Sequence, residues 1–208
     1  MQKIMFNDKY GLTKAVFLER KTQTRRIVKD KEMINLIKEY DTPSSSLSIY
    51  ERFMLNPILR SRFIKNRKVM RYQENETVAI AQSYADIVCC ADWVKRMTLK
   101  EEKGWSNKMF VRAEDMPHHI LITKIRIENL QDISDEDCLK EGVLKTHVKK
   151  KLRSDLDEPL YFAPNESLVK DFFKTPKEAY ASLIDRISGK GTWESNPYVF
   201  VYDFELID

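Results

Sequence analysis

Alternation of apolar and polar residues predicts four β-strands. The longest alternating segment covers residues 119–130, and we expect it to cross the core. The side chains predicted on one face of it are Leu121, Thr123, Ile125 and Ile127. Shorter alternations predict strands at residues 2–6 and 76–82. The last predicted strand, 198–206, has an aromatic residue or leucine at every second position, which is typical of a core-facing strand.

Helical spacing of apolar residues predicts a first helix at residues 11–19. The charged segment 28–70 is expected to be helical in two pieces, broken at 41–46 by a threonine, a proline and three serines. This segment has the character of an insertion at about 30–70. A second predicted insertion, at about 144–174, contains a possible hairpin.

Two further helices carry start and stop signals. Ser134 is a good N-cap for a short helix that Gly142 stops, which leaves Glu141 at its C-terminal end. The second of these helices opens with Thr175-Pro176-Lys177-Glu178 and ends at Gly189.

This order of elements predicts the α+β class. Strands occur at both ends of the chain and in its middle, helices lie between them, and no repeated strand–helix unit is visible. We therefore expect a small mixed β-barrel or sheet flanked by helices. The chain has 208 residues, which suits a single domain covering 1–208 that contains both insertions.

Charge and composition narrow the classes of partner. The formal net charge is +4 with many residues of both signs, which predicts a soluble protein with a basic patch. No apolar stretch approaches the roughly 18 residues of a membrane-spanning helix, so we expect a cytoplasmic protein without a membrane partner. The cysteines are Cys89, Cys90 and Cys138, an odd number without metal-ligand spacing. We therefore predict reduced thiols, no metal and no cofactor.

The candidate chemistry lies in one basic segment, Arg20-Lys21-Thr22-Gln23-Thr24-Arg25-Arg26, directly after the first helix. Cations and hydroxyls are crowded here, and the threonines resist helix formation, so we predict a turn that meets an anionic or polar ligand. A structural interpretation stays open, because the dipole of a helix favours lysine and arginine just after its C-terminus.

Three sequence pieces resemble the ASCH-domain family, and in particular its phage-borne and prophage-borne members. The pieces are Lys21-Thr22-Gln23-Thr24-Arg25-Arg26, Leu130-Gln131-Asp132-Ile133-Ser134 with Glu141-Gly142, and Gly189-Lys190-Gly191-Thr192-Trp193-Glu194-Ser195-Asn196-Pro197. With their neighbouring elements they cover about half of the chain. The resemblance implies a PUA-like fold, which is a small β-barrel associated with RNA binding.

One branch of the family resembles an amidohydrolase that acts on N4-acetylcytidine. The resemblance places its catalytic residues at Lys21, Thr24 and Glu141. A lysine with a lowered pKa could act as base toward the threonine hydroxyl or a water, while the glutamate orients the lysine or takes protons. The chain departs from the family pattern at Glu74-Asn75-Glu76, where many members have Gly-Asp before a strand.

Binding without catalysis is the main functional expectation, with RNA or a modified nucleoside as the partner. The residues expected to contact it are Lys21, Thr22, Arg25, Arg26, Tyr84, Lys190 and Trp193. Structural roles stay open for the aromatic pair, since Trp193 could plug the barrel end and Tyr84 could cap its strand. Two alternatives are kept: the amidohydrolase, and a phage accessory protein that binds a host protein through 30–70.

Overall fold

A computed structural model describes residues 1–41, 47–65, 70–88, 92–147, 159–164 and 171–208. The strands are β1 (Gln2–Ile4), β2 (Gln23–Ile27), β3 (Thr77–Ile80), β4 (His119–Asn129), β5 (Leu144–His147), β6 (Pro159–Phe162) and β7 (Tyr198–Leu206). The helices are α1 (Leu12–Phe17), α2 (Lys31–Tyr40), α3 (Ile49–Leu55), α4 (Pro57–Lys65), α5 (Tyr84–Ile87), α6 (Trp93–Leu99), α7 (Asp135–Lys140) and α8 (Pro176–Ser188). The α+β class is confirmed.

The main sheet has five strands in the order β1-β3-β4-β7-β2. Only β1 and β3 are parallel, and β5 and β6 form a separate antiparallel pair. The prediction of a barrel is wrong, because within the described ranges no ladder joins the edge strands β1 and β2. Strand β1 ends at Ile4, and the chain enters a 3-10 turn at Asp8–Tyr10, which leaves no strand to complete a ladder. Instead, Arg26 Nη2 donates to the carbonyl of Met5 at 2.8 Å, so one side chain bridges the two edges.

The longest predicted strand is confirmed as β4, but its core face agrees with the prediction only in its second half, at Ile125 and Ile127. The pairing of β4 with β7 shifts register between Ile122 and Lys124, and Thr123 at this bulge is exposed. A bulge adds one residue and so exchanges the faces of the residues before it. The buried side chains are therefore Ile120, Ile122, Ile125 and Ile127.

The capping signals at α7 and α8 are confirmed. The Ser134 hydroxyl accepts from the amide of Asp137 at 3.1 Å, and Glu141 is the C-cap of α7. Helix α8 begins with a capping box between Thr175 and Glu178. The two helices contact each other, and α7 also contacts β2. Glu141, at the C-terminal end of α7, therefore lies beside the edge strand β2.

The segment predicted as an insertion at 30–70 contributes to the hydrophobic core. Helices α2, α3 and α4 occupy its described part, and Ile37, Tyr50 and Phe53 are buried against the sheet residues. Leu55 and Ile58 stay exposed on this segment, and recognition of a host protein through it stays a prediction. Residues 42–46 lie outside the described residues.

The predicted hairpin of the second insertion is confirmed by the antiparallel pairing of β5 with β6. Residues 148–158 and 165–170 of that insertion lie outside the described residues, as do Cys89 and Cys90. Cys138 is a buried free thiol, and burial raises its pKa to about 12. Across the described ranges, every helix is too short or too polar to cross a bilayer.

Candidate functional site

The basic segment predicted as a turn forms a strand from Gln23 onward, so that prediction is wrong. Strand β2 pairs antiparallel with β7 along its whole length, and β-branched Thr24 suits this extended backbone. Alternation along the strand puts Gln23 and Arg25 on one face and Thr24 and Arg26 on the other. Neighbouring cations of the motif therefore meet different surroundings.

Lys21 points inward because α1 ends in a tight turn just before it. The backbone amides of Arg20 and Lys21 both donate to the Ala15 carbonyl, at 2.9 and 3.0 Å. Glu19 takes a positive φ of 53°, which lets the chain reverse at this point. The side chain of Lys21 is buried as a result, with 2% of it exposed.

A short ion pair joins Lys21, which follows α1, to Glu141 at the C-terminal end of α7. Lys21 Nζ lies 2.6 Å from Glu141 Oε2, and it also donates to the Gln23 carbonyl at 2.8 Å and the Glu141 carbonyl at 2.9 Å. These three acceptors use all three N–H groups of the ammonium. Burial lowers the pKa of Lys21, while the carboxylate of Glu141 acts in the opposite direction. Gly142 follows with φ +105°, and a Cβ there would lie 3.2 Å from Leu12 Cδ2.

Arg25 is enclosed by carboxylates. Its Nη2 lies 2.7 Å from Glu128 Oε1 and 3.3 Å from Asp137 Oδ2, and its Nη1 lies 3.2 Å from Glu141 Oε1. Its Nη1 also donates to the side-chain oxygen of Gln23. Burial acts to lower the pKa of the guanidinium, but Glu141 and the other negative neighbours outweigh it, so the pKa is raised. We call Lys21, Arg25, Glu128, Asp137 and Glu141 the inner ion network.

A cleft of about 530 Å³ lies along the open edge of the sheet, beside β2. This volume falls in the range of small-molecule sites. Three exposed or half-buried cations line it, namely Arg26, Lys29 and Arg71, and we call them the cleft cations. Buried groups, among them Glu141 and Tyr180, also line it. Part of the buried inner ion network therefore borders this cleft, and the cleft cations give the cleft a positively charged surface.

The predicted catalytic residues are brought together in part. Lys21 and Glu141 are in contact, and Glu141 reaches the cleft. Thr24 is 5% exposed, and its hydroxyl makes no hydrogen bond with any residue that the structure describes. Thr22 is half-buried, and its amide donates to the Lys140 carbonyl at 3.0 Å.

The other predicted contact residues lie outside the cleft lining. The Tyr84 hydroxyl donates to Asp115 Oδ2 at 3.0 Å, and Tyr84 borders a separate cavity of about 540 Å³. Trp193 packs edge-on against Tyr180 with ring centroids 6.2 Å apart, and Lys190 is exposed in the turn after α8. The structure therefore brings Arg25 and Arg26, but not Tyr84, Lys190 or Trp193, to the cleft.

Three cleft residues were missed by sequence reasoning: Lys29, Arg71 and Tyr180. Lys29 follows β2 closely, so a correct strand assignment would have pointed to it. Arg71 lies just beyond a predicted insertion, and no local pattern indicates its position. Tyr180 fits the buried stripe of α8 and was assigned to the core for that reason. In the described ranges no group of three His, Cys, Asp or Glu side chains is placed to hold a metal ion.

Comparisons with protein-family models, with curated proteins and with solved structures found no match.

Proposed function

We propose that this chain binds RNA or a modified nucleoside in the cleft beside β2, as a module of the ASCH type. The observation that carries this proposal is the charge of the cleft lining. Arg26, Lys29 and Arg71 contribute three cations. Of the described residues in the lining, Glu141 has the one carboxylate, and Lys21 and Arg25 neutralise it.

A concave surface with excess positive charge favours anionic ligands. Its low-dielectric walls focus the field and raise the local concentration of the ligand. Arg26 and Arg71 lie close enough to Tyr72 that both act to lower its pKa, although burial dominates and raises it. Both guanidinium groups line the cleft, where they can hold a phosphate through charge-assisted hydrogen bonds.

Binding is tested by fluorescence anisotropy of a labelled single-stranded cytidine-rich RNA at 50 and 200 mM salt. We expect Lys29→Gln to weaken binding about 3- to 10-fold at low salt, because one phosphate contact is lost. Lys38→Gln is the matched control, since Lys38 is exposed on α2 outside the cleft lining. The proposal fails if wild-type protein binds neither this RNA nor cytidine nucleotides, or if the two variants weaken binding equally.

A second candidate is deacylation of an N4-acetylcytidine-type nucleoside, favoured by the 2.6 Å pair of Lys21 and Glu141. Lys21 would first pass one ammonium proton to the Glu141 carboxylate; the neutral amine would then accept a proton from the Thr24 hydroxyl or a water, and the oxygen would attack the acyl carbonyl. The C–N bond then breaks, the amine takes a proton, and acetate and cytidine are released after hydrolysis of any acyl intermediate. Glu141 would hold Lys21 in place.

Release of cytidine from N4-acetylcytidine, followed by chromatography without RNA, tests this candidate. If the protein is an amidohydrolase, Lys21→Ala should reduce turnover by about 10²-fold or more. Thr24→Ala separates the two functions. It should abolish turnover if Thr24 is the nucleophile, whereas a pure binding protein would lose little RNA affinity and show no turnover in any variant.

A further inference from the structure

The hydroxyl of Tyr180, in the cleft, has no hydrogen-bond partner among the described residues. Tyr180 lies on α8, 2% exposed, and lines the cleft together with Glu141 and Arg25. Its hydroxyl makes no hydrogen bond with any residue in the described part of the chain. Its oxygen is not one of the fully enclosed side-chain atoms that lack a partner in the described part of the chain, so solvent in the cleft reaches it. We call the buried part of the cleft lined by Glu141 and Tyr180 the cleft base. A ligand group that enters the cleft from solvent can become the hydrogen-bond partner of the Tyr180 hydroxyl there.

Other tyrosines differ from Tyr180 in this respect. The Tyr72 hydroxyl, which belongs to another residue of the cleft lining, donates to the Lys3 carbonyl at 3.2 Å. Tyr198 donates to Asp41 Oδ2 at 2.8 Å. Tyr72 thus has a hydrogen-bond partner inside the protein, whereas Tyr180, on the same cleft lining, has none among the described residues.

The neighbours of Tyr180 decide which hydrogen-bonding role it can take. Burial, and then the negative charge of Glu141, raise its pKa well above the ordinary value, while Arg25 acts in the opposite direction. The phenol therefore keeps its proton and can donate. The Glu141 carboxylate, which also lines the cleft, can only accept. The cleft base thus offers one donor and one acceptor.

We propose that the Tyr180 hydroxyl contacts the ligand and donates a hydrogen bond to an acceptor atom at the cleft base, while Glu141 accepts from a donor of the same ligand. This inference rests on the proposed binding function and sharpens its ligand class. The ligand has a polar edge with an acceptor beside an N–H or O–H group, as in a nucleobase or an amide. That edge enters first, and the phosphate stays at the cleft cations.

The test is calorimetric binding of two probes, cytidine 5′-monophosphate and ribose 5-phosphate, to wild-type protein and to Tyr180→Phe. Only the first probe has a base edge. We expect Tyr180→Phe to weaken binding of the nucleotide about 3- to 10-fold, the value of one hydrogen bond, and to leave the affinity for the sugar phosphate unchanged.

Tyr198→Phe is the matched control, because it removes a hydroxyl that has a partner outside the cleft lining. It should lower the thermal midpoint and leave both affinities unchanged. Tyr180→Phe should leave the midpoint of the free protein equal or higher, because the removed hydroxyl had no protein partner.

The outcomes separate the two proposals. A Tyr180→Phe variant that binds the nucleotide as tightly as wild type overturns the role of Tyr180 and leaves the binding function standing. Equal weakening for both probes also overturns it, since the change would then act on the fold. A wild-type protein that binds neither the nucleotide nor RNA overturns both proposals.

Discussion

Arg25 and Arg26 are adjacent and chemically identical, and both line the cleft, yet their burial and partners differ. Arg25 has a side chain that is 1% exposed and touches the carboxylates of the inner ion network. Arg26 is half-buried, lines the cleft and donates to the Met5 carbonyl. The difference follows from strand geometry, because successive side chains in β2 point to opposite faces.

The comparison shows that a count of basic residues overstates the charge available to a ligand. Of the four cations in the predicted basic turn, Lys21 and Arg25 are neutralised inside the protein. Two of the cleft cations, Lys29 and Arg71, come from outside that turn. The electrostatic surface is therefore set by the fold and not by the sequence cluster.

The largest expected effect comes from removing each arginine in turn. Arg25→Met should destabilise the protein by about 3–5 kcal/mol, because it removes the buried cation that Glu128, Asp137 and Glu141 share. Arg26→Met should cost about 1 kcal/mol, the value of its hydrogen bond to Met5. Urea unfolding followed by circular dichroism measures both changes. Similar losses for the two variants would contradict the assignment of Arg25 to the interior.

Acid should weaken the inner ion network more than the cleft. Burial acts to raise the pKa of Asp137, but Arg126 and Arg25 outweigh it, so its pKa in the folded protein is lowered. The unfolded chain therefore binds this proton first. The stability from Asp137 is fully present well above about pH 4 and is lost as pH falls through the folded pKa.

Asp137→Asn tests this pH dependence. It should lower the unfolding free energy at pH 7 by about 1–3 kcal/mol, and by less at pH 3, where the carboxylate of the unfolded wild-type chain is already largely protonated. Unfolding curves at pH 3, 5 and 7 measure the difference. A stability difference that is constant with pH would exclude an ionised Asp137 from the network.

The smallest expected effect concerns Arg26 and the salt dependence of RNA binding in the cleft. The logarithm of the affinity for single-stranded RNA falls linearly with the logarithm of the salt concentration. Arg26→Gln should make this slope shallower by about 0.7, because the loss of one phosphate contact means that fewer counterions are released on binding. Anisotropy titrations at several salt concentrations measure this slope. An unchanged slope would place the phosphate elsewhere.

Much of the fold follows from local signals. Ser134 and Thr175 were recognisable as helix caps because their hydroxyls satisfy free amides of the first turn. The face of β4 was wrongly predicted, because the bulge near Thr123 comes from pairing with β7 and leaves no mark in the alternation. The open sheet was missed for a similar reason, since closure depends on where β1 ends.

Only the Lys21–Glu141 part of the candidate site was predictable from the sequence. The family resemblance singled out Lys21 and Glu141, and the structure places them in contact. Arg71 and Tyr180 join them through tertiary packing, which no spacing along the chain reveals. The strand at residues 23–27 was missed because its charges suggested a solvated turn, whereas carboxylates from other elements make those charges compatible with burial.

The packing of Trp193 against Tyr180 has a spectroscopic consequence. The indole lies edge-on to the ring whose hydroxyl borders the cleft base. Trp93 is 69% exposed, and Trp105 lies near the guanidinium of Arg96, with 5.2 Å between that group and the ring centroid. Trp193 is thus the indole packed against the cleft lining, which makes its emission an internal optical probe of the site.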